Sequence, residues 1–97
     1  MKPENVNPKN FQLIEIVYNN NDFSIAYGKF EDGINCIAMR WNGDENDAGY
    51  PKTFGNPMWF IIDNRLKQLF LKSLIGEKFA NNAKILNCLI RNFYYNS

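Results

Sequence analysis

Runs of apolar residues separated by short polar segments predict β-strands in the first part of the chain. Residues 11–18 are rich in aromatic and β-branched side chains, and residues 19–22, Asn-Asn-Asn-Asp, are of the kind that favours turns. Residues 23–31 and 34–41 have the same strand-like character and are separated only by Asp32 and Gly33. Because Asp-Gly suits a two-residue type I′ turn, we predict a β-hairpin here, preceded by one further strand.

The predicted turn sets the register of the hairpin and therefore the composition of its two faces. It places Glu31 opposite Ile34 and Tyr27 opposite Ala38. One face then carries a set of apolar residues that we assign to the core: Ala26, Phe30, Ile37, Met39 and Trp41. The other face is too apolar to be left to water, so we expect another part of the chain to cover some of it.

The rest of the chain predicts a long connection, a fourth strand and two helices. Asn, Gly and Pro recur along residues 42–57, whereas residues 58–62 are aromatic and β-branched. Asp63 or Asn64 is suited to cap a helix over residues 65–75, which Gly76 ends, and a second helix follows. Apolar residues at helical spacing define the predicted buried stripes, which are Leu66, Leu69, Phe70 and Leu74 in the first helix and Phe79, Ala83, Leu86, Ile90 and Phe93 in the second.

Together these elements predict an α+β fold, with an about four-stranded, mainly antiparallel sheet followed by two C-terminal helices packed on one face. The length of 97 residues suits one hydrophobic core, so residues 11–97 are predicted to form a single domain. Residues 1–10, with Pro3 and Pro8, predict an irregular N-terminal arm. An apolar run of about 18 residues and a signal-peptide pattern are both missing from the sequence, so we expect a cytoplasmic protein with no membrane segment.

Charge is distributed unevenly along the chain, although its net value is only +1. Residues 1–63 contain five Lys or Arg and nine Asp or Glu, whereas residues 64–97 contain six Lys or Arg and one Glu. A basic helical segment of this kind can bind nucleic acid, or it can be a solvated face attracted to the acidic half of its own chain. The basic side chains that would serve a nucleic-acid groove are Arg65, Lys72, Lys84 and Arg91.

The residue types that are missing narrow the possible chemistry. The chain has no His, which removes the base of Ser-His and Cys-His catalysis and leaves no credible ligand set for zinc. Cys36 and Cys88 are far apart and flanked by apolar residues, so we interpret both as buried free thiols. Neither a cofactor nor a metal site is predicted, and the carboxylates of Asp44, Glu45 and Asp47 remain as the one alternative for a cation or a small enzyme.

The segment between the third and fourth strands supplies the leading functional hypothesis. It combines flat rings and cations in one region, with Trp41, Tyr50, Phe54 and Trp59 as apolar anchors and Arg40 and Lys52 as orienting charges. This composition favours a non-catalytic protein-interaction module, either an adaptor, an inhibitor or a domain that forms a homodimer. Two alternatives remain open, because the same rings can stack on a single nucleic-acid strand or can clamp the loop to its own sheet.

One part of this segment also resembles a known sequence pattern. The residues are Arg40-Trp-Asn-Gly43, then Gly49-Tyr-Pro51, then Gly55-Asn-Pro-Met-Trp-Phe60. They resemble a pattern of small, uncharacterised bacterial proteins of the accessory genome. The resemblance covers about 20 residues and implies a shared fold core and surface, and it carries over no activity and no catalytic residue.

Overall fold

The computed structural model describes the backbone of residues 1–95 and the side chains of residues 1–91. Its strands are β1 (Phe11–Asn19), β2 (Phe23–Phe30), β3 (Asn35–Trp41), β4 (Lys52–Thr53), β5 (Asn56–Pro57) and β6 (Phe60–Ile61). Its helices are α1 (Lys67–Leu74) and α2 (Asn82–Tyr95), and single 3-10 turns lie at Pro3–Asn5 and Asn64–Leu66. An antiparallel sheet of four strands has the order β1-β2-β3-β6, which confirms the predicted fold class.

The two helices pack on one face of this sheet, as predicted. The main core lies between them and the strands and consists of Val17, Ile25, Tyr27, Ile37, Leu71, Leu74, Ile85 and Cys88. The four residues from the sheet belong to β1, β2 and β3, and the other four belong to α1 and α2. Burial raises the pKa of the Tyr27 hydroxyl and of the Cys88 thiol to about 12 each.

The predicted buried stripes of the helices differ from the observed ones. In α1, Leu71 and Leu74 are buried and Leu69 is exposed, while in α2 Ile85 is buried and Leu86 and Ile90 are exposed. Both helices carry apolar residues around more than one side, so two stripes satisfy the helical period equally well. Contacts with the sheet decide which of the two stripes is buried. Phe93 of the predicted stripe lies outside the described side chains.

The β2–β3 turn has three residues rather than the predicted two. The amide of Phe30 donates to the carbonyl of Ile34 at 3.0 Å, and Gly33 has a φ of +86°. The Asp32 side chain accepts from the amide of Ile34, which fixes the longer turn with its left-handed Gly. The register therefore shifts by one residue, and Tyr27 lies opposite Ile37 instead of Ala38.

The shifted register regroups the faces that the two-residue turn predicted. Ile37, Met39 and Trp41 share the face that carries the helices, whereas Ala26 lies on the opposite face with Ala38. The predicted core face, which combined Ala26 with Ile37, is wrong because one residue of slip moves a side chain to the other side of a sheet.

The second face of the sheet has its own core, as the apolar composition of both faces predicts. It consists of Val6, Phe11, Ala26, Cys36, Ala38 and Trp59. Residues 1–10, predicted as an irregular arm, contain one 3-10 turn and contribute Val6 to this core. Gly28 leaves room for the ring of Phe11 to pack closely on the sheet, because a Cβ at position 28 would lie 2.3 Å from that ring. The sheet is therefore a middle layer that is covered on both sides.

Candidate binding surface

The connection from β3 to β6 is an ordered loop that returns to the sheet. Trp41 and Tyr50 exchange two backbone hydrogen bonds, at 2.7 Å and 3.0 Å, which close residues 42–49 into a small loop. Gly49 lies so close to β3 that a Cβ there would be 2.1 Å from the carbonyl oxygen of Trp41. The long predicted connection is thus anchored at Trp41 before the chain continues into β4.

The next part of the connection is a hairpin with Phe54 at its tip. Strands β4 and β5 pair antiparallel, and Phe54 and Gly55 form the two central residues of their turn. Both have positive φ, 51° for Phe54 and 81° for Gly55, as a type I′ turn requires. Asn and Gly are favoured at the first of these positions, whereas a bulky residue is uncommon there. The side chain of Phe54 is fully exposed.

The side chain of Arg40 contacts two separate parts of this connection. Its side chain is only 1% exposed, and its two Nη atoms donate to the carbonyls of Ala48 and Met58. The guanidinium also lies 6.0 Å from the centre of the Trp59 ring. Burial lowers the pKa of Arg40, and among the described residues it has no carboxylate partner. Arg40 was predicted as an orienting charge for a partner. It is instead a buried structural residue that links two parts of the connection.

Trp59 also faces inward. It is 4% exposed, its indole Nε1 donates to the carbonyl of Val6 at 2.8 Å, and its ring lies 5.7 Å from that of Phe11. Both its apolar body and its polar atom are thus satisfied within the second core. Trp59, predicted as an apolar anchor for a partner, anchors the N-terminal segment instead.

The remaining predicted site residues lie at the surface. Trp41 is 56% exposed and Tyr50 65%, and Lys52 and Phe54 are exposed in the β4–β5 hairpin. Sequence reasoning missed Phe60, which pairs with Met39 across β3 and β6 and is 58% exposed. The signal for Phe60 is the aromatic character of residues 58–62, because a strand with rings on both faces exposes those on the face that is left uncovered.

The exposed rings of Trp41, Tyr50 and Phe60 form one surface on the face of the sheet that carries the helices. Along β3, Ile37 is fully buried under the helices, Met39 is partly buried and Trp41 is mostly exposed, so the helix cover ends before Trp41. We call the uncovered part the aromatic surface, made of Phe23, Trp41, Tyr50 and Phe60. The rings of Phe23 and Trp41 meet edge to face with their centres 4.7 Å apart, which fixes Trp41 in place.

A small apolar cavity lies within the aromatic surface. Its volume is about 130 Å³, and Met39, Arg40 and Pro51 line it together with the four aromatic residues. The volume is of the order of a single large side chain rather than of a drug-sized ligand, whose pockets measure about 300–1,000 Å³. The cavity is therefore suited to one apolar group presented by a larger molecule.

The loop closed by Trp41 and Tyr50 carries the exposed side chains of Asp44, Glu45 and Asp47. This loop contacts the start of the chain, where the Met1 ammonium donates to the carbonyls of Asn42 and Asp44, and Lys2 lines a cavity together with Glu45. Of the described residues, no three His, Cys, Asp or Glu side chains come together in a group that could hold a metal ion. The apolar cavity itself has no acidic residue in its lining.

Two of the four basic side chains predicted to serve a nucleic-acid groove have carboxylate partners in their own chain. Arg65 forms a salt bridge with Asp63 at 2.8 Å, and hydrogen bonds from Arg65 lower the pKa of Asp63 to about 2. Lys84 lies 3.5 Å from Glu15. Lys67 is buried and donates to the carbonyl of Asn35. Lys72 and Arg91 remain exposed.

A larger cavity of about 570 Å³ lies beside the N-terminal segment and is polar. Asn42, at its base, is buried, accepts from the Ser24 hydroxyl and donates to Asn19 and to the carbonyl of Asn21. Since its amide is already engaged in this way, Asn42 serves to fix the end of β3.

Comparison of the chain with family models, curated proteins and solved structures found no match. The similarity to small bacterial proteins therefore stays a prediction. Within residues 1–95, neither helix is long and apolar enough to cross a membrane. The function must accordingly be argued from the geometry of the surface itself.

Proposed function

We propose that this protein is a non-catalytic interaction module that binds a protein partner through the aromatic surface. The observation that carries the proposal is the group of four rings around an apolar cavity, on the part of the sheet face that the helices leave open. Large exposed rings next to a pocket are typical of the residues that dominate the binding energy of protein interfaces.

The chemistry of the surface defines the segment that it would bind. The cavity of about 130 Å³ takes one apolar side chain. The partner would therefore present an exposed aromatic or aliphatic side chain. Burial of a ring of this kind removes about 150–250 Å² of its area from water, which supplies the main driving force.

Two other functions fit the surface less well. A single nucleic-acid strand could stack on Trp41 and Tyr50, but the three carboxylates of the adjoining loop repel phosphate. Those carboxylates are exposed, and none of them lines the apolar cavity, which is unfavourable for an enzyme that uses them as acid and base. Because the buried Cys36 and Cys88 are free thiols, the proposal also includes a cytoplasmic location.

A peptide selection tests this function. Peptides displayed on phage would be selected on the wild-type protein, and the enriched ones labelled and titrated by fluorescence anisotropy. We expect enriched peptides to share an exposed aromatic or aliphatic residue, and their affinity to fall at least about tenfold in Trp41→Ala. Leu69→Ala is the matched control, because Leu69 is an equally exposed apolar residue on α1.

Labelled single- and double-stranded oligonucleotides belong in the same experiment. Saturable, salt-sensitive binding of a single strand that Trp41→Ala abolishes would replace the proposal with the stacking function. Equal binding of the selected peptides to the wild type and to Trp41→Ala would also contradict it, because the aromatic surface would then play no part.

A further inference from the structure

The two helices and the turns that flank them expose an unusual number of large apolar residues. Of the eleven large apolar side chains that the described residues expose, six lie between positions 66 and 90. Each of the six is 43–65% exposed. We call them the helix surface, which consists of Leu66, Leu69, Ile75, Phe79, Leu86 and Ile90.

Helix geometry directs this surface away from the sheet. In α1, Leu71 belongs to the main core, and Leu69, two positions before it, lies about 200° around the helix. In α2, Cys88 belongs to the same core, and Leu86 and Ile90, two positions to either side, are each about 200° from it. Because both helices pack on one face of the sheet, their outward residues lie on the same side of the molecule.

Exposed cations lie beside the helix surface. Lys72 is one turn from Leu69 on α1, so the two side chains are neighbours. The Nζ of Lys78 lies 5.4 Å from the centre of the Phe79 ring. Arg91 is exposed and follows directly after the last residue of the helix surface on α2.

The charge of these cations is not balanced by acids nearby in sequence. Residues 64–97 contain a single acidic residue, Glu77. Among the described side chains, Lys72, Lys78 and Arg91 take part in no salt bridge. The border of the helix surface is therefore positively charged.

We propose that the helix surface binds an anionic lipid bilayer. The apolar side chains enter the boundary between the lipid headgroups and the acyl chains, and the neighbouring cations contact the phosphates of the headgroups. The 14 residues of α2 measure about 21 Å and pack along the sheet, so the surface rests on the bilayer and does not cross it. This inference goes beyond the proposed function, because it assigns a second binding surface.

The residue types favour a bilayer over a protein partner. Five of the six residues of the helix surface are Leu or Ile. The binding energy of protein interfaces is concentrated in Trp, Tyr and Arg, and Leu is under-represented among the residues that supply it. Aliphatic residues bordered by Lys and Arg are instead typical of helices that lie at a membrane interface. The cytoplasmic leaflet carries the anionic lipids, which agrees with the proposed location.

Flotation of the full chain with lipid vesicles tests the inference. We expect the wild type to float with vesicles of phosphatidylcholine and phosphatidylserine, to float less with phosphatidylcholine alone, and to bind less at high salt. Leu86→Glu should reduce partitioning at least about tenfold, because it removes an apolar group and adds a charge that the bilayer repels. Its melting temperature should change little, since Leu86 is half exposed.

Phe54→Glu is the matched control. It removes an exposed apolar side chain and makes the same change of charge, but it lies in the β4–β5 hairpin, outside the helices. Vesicle binding of this variant should equal that of the wild type. Equal losses of binding in Phe54→Glu and Leu86→Glu would mean that net charge alone governs the contact, and would overturn the inference.

A second variant tests the cations separately from the apolar residues. Each basic side chain near an anionic surface contributes about fivefold to partitioning. The double variant Lys72→Gln, Arg91→Gln should therefore bind anionic vesicles about tenfold or more weakly, while its binding to phosphatidylcholine alone stays the same. Gln is a good helix former, so both helices are retained. Unchanged binding of this variant to anionic vesicles would contradict the proposed role of the cations.

The remaining outcomes distinguish a bilayer from other occupants. A wild type that does not float with anionic vesicles would overturn the inference. A wild-type dimer in light scattering that Leu86→Glu converts to a monomer would assign the helix surface to a second copy instead. Selected peptides that lose their binding in Leu86→Glu would assign it to a protein. The proposed function is tested apart from these results, because it depends on whether Trp41→Ala weakens peptide binding.

Discussion

Arg40 and Trp41 are adjacent in β3 but belong to opposite sides of the protein. Arg40 is 1% exposed and braces the connection together with Trp59, whereas Trp41 is 56% exposed and forms the aromatic surface with Tyr50. Strand alternation causes the division, because successive side chains point to opposite faces of a sheet. The comparison teaches that a cluster of rings and cations in sequence contains a buried set, Arg40 and Trp59, and an exposed set, Trp41 and Tyr50. We call them the inner set and the outer set.

The largest expected effect concerns the buried groups beneath both sets and is produced by alkaline pH. Burial raises the pKa of Cys36 from 9.0 to about 11, that of Cys88 from 9.0 to about 12 and that of Tyr27 from 10.0 to about 12. The unfolded chain then loses these protons first, so the stabilisation is complete below pH 9 and is lost as the pH rises through 11 to 12. Lys67, whose pKa burial lowers, acts in the opposite direction.

Circular dichroism of the protein between neutral pH and pH 12 measures this loss. The double variant Cys36→Ala, Cys88→Ala should delay its onset from about pH 9 to about pH 10, where the hydroxyl of an unfolded Tyr27 begins to ionise. An onset that stays at pH 9 in the double variant would show that groups outside the core cause it.

Substitution of the two tryptophans separates the inner and outer sets most directly. Trp59→Ala removes a buried ring and its hydrogen bond to Val6, so we expect a loss of about 3–5 kcal/mol in the free energy of unfolding. Trp41→Ala removes an exposed ring that contacts Phe23, and the expected loss is about 1 kcal/mol. Urea denaturation measures both, and equal losses in the two variants would remove the distinction.

A smaller effect is expected for Arg40→Lys. A lysine ammonium is a compact charge and does not span the carbonyls of Ala48 and Met58 as the guanidinium does. One of these carbonyls loses its partner, which costs about 1–3 kcal/mol. Hydrogen exchange should show faster exchange of the amides of residues 49–58 and little change in β1. Unchanged exchange in the connection would mean that Arg40 does not brace it.

The fold was predictable from the sequence to the level of its elements, but two details depended on specific contacts that the hydrophobic pattern does not show. Asp32-Gly33 indicates a turn, yet the side chain of Asp32 selects three residues rather than two, and this choice decides which apolar side chains share a face. The helices have two possible apolar stripes, so only contact with the sheet reveals that Leu86 is exposed and Ile85 is buried.

The candidate site was predictable in part. Its segment, residues 40–60, was recognisable from the aromatic residues among Gly and Pro. The sequence does not reveal that Arg40 and Trp59 are buried while Trp41 and Tyr50 are exposed. Both faces of this sheet are apolar, so the alternation of side chains along a strand does not indicate which residues are covered. The turn at Phe54 was missed for a different reason, since it lacks the Asn-Gly signal of a type I′ hairpin.

The bond between Trp59 and Val6 has a consequence for the order of events during synthesis. The two residues are separated by 53 positions, and at ribosomal speeds of about 5–20 residues per second Val6 is synthesised roughly 3–10 s before Trp59. During this interval the carbonyl of Val6 lacks its indole partner, and the ring of Phe11 lacks the ring that it contacts in the folded protein. The second core is therefore completed late in synthesis, although its first residues are among the earliest to be made.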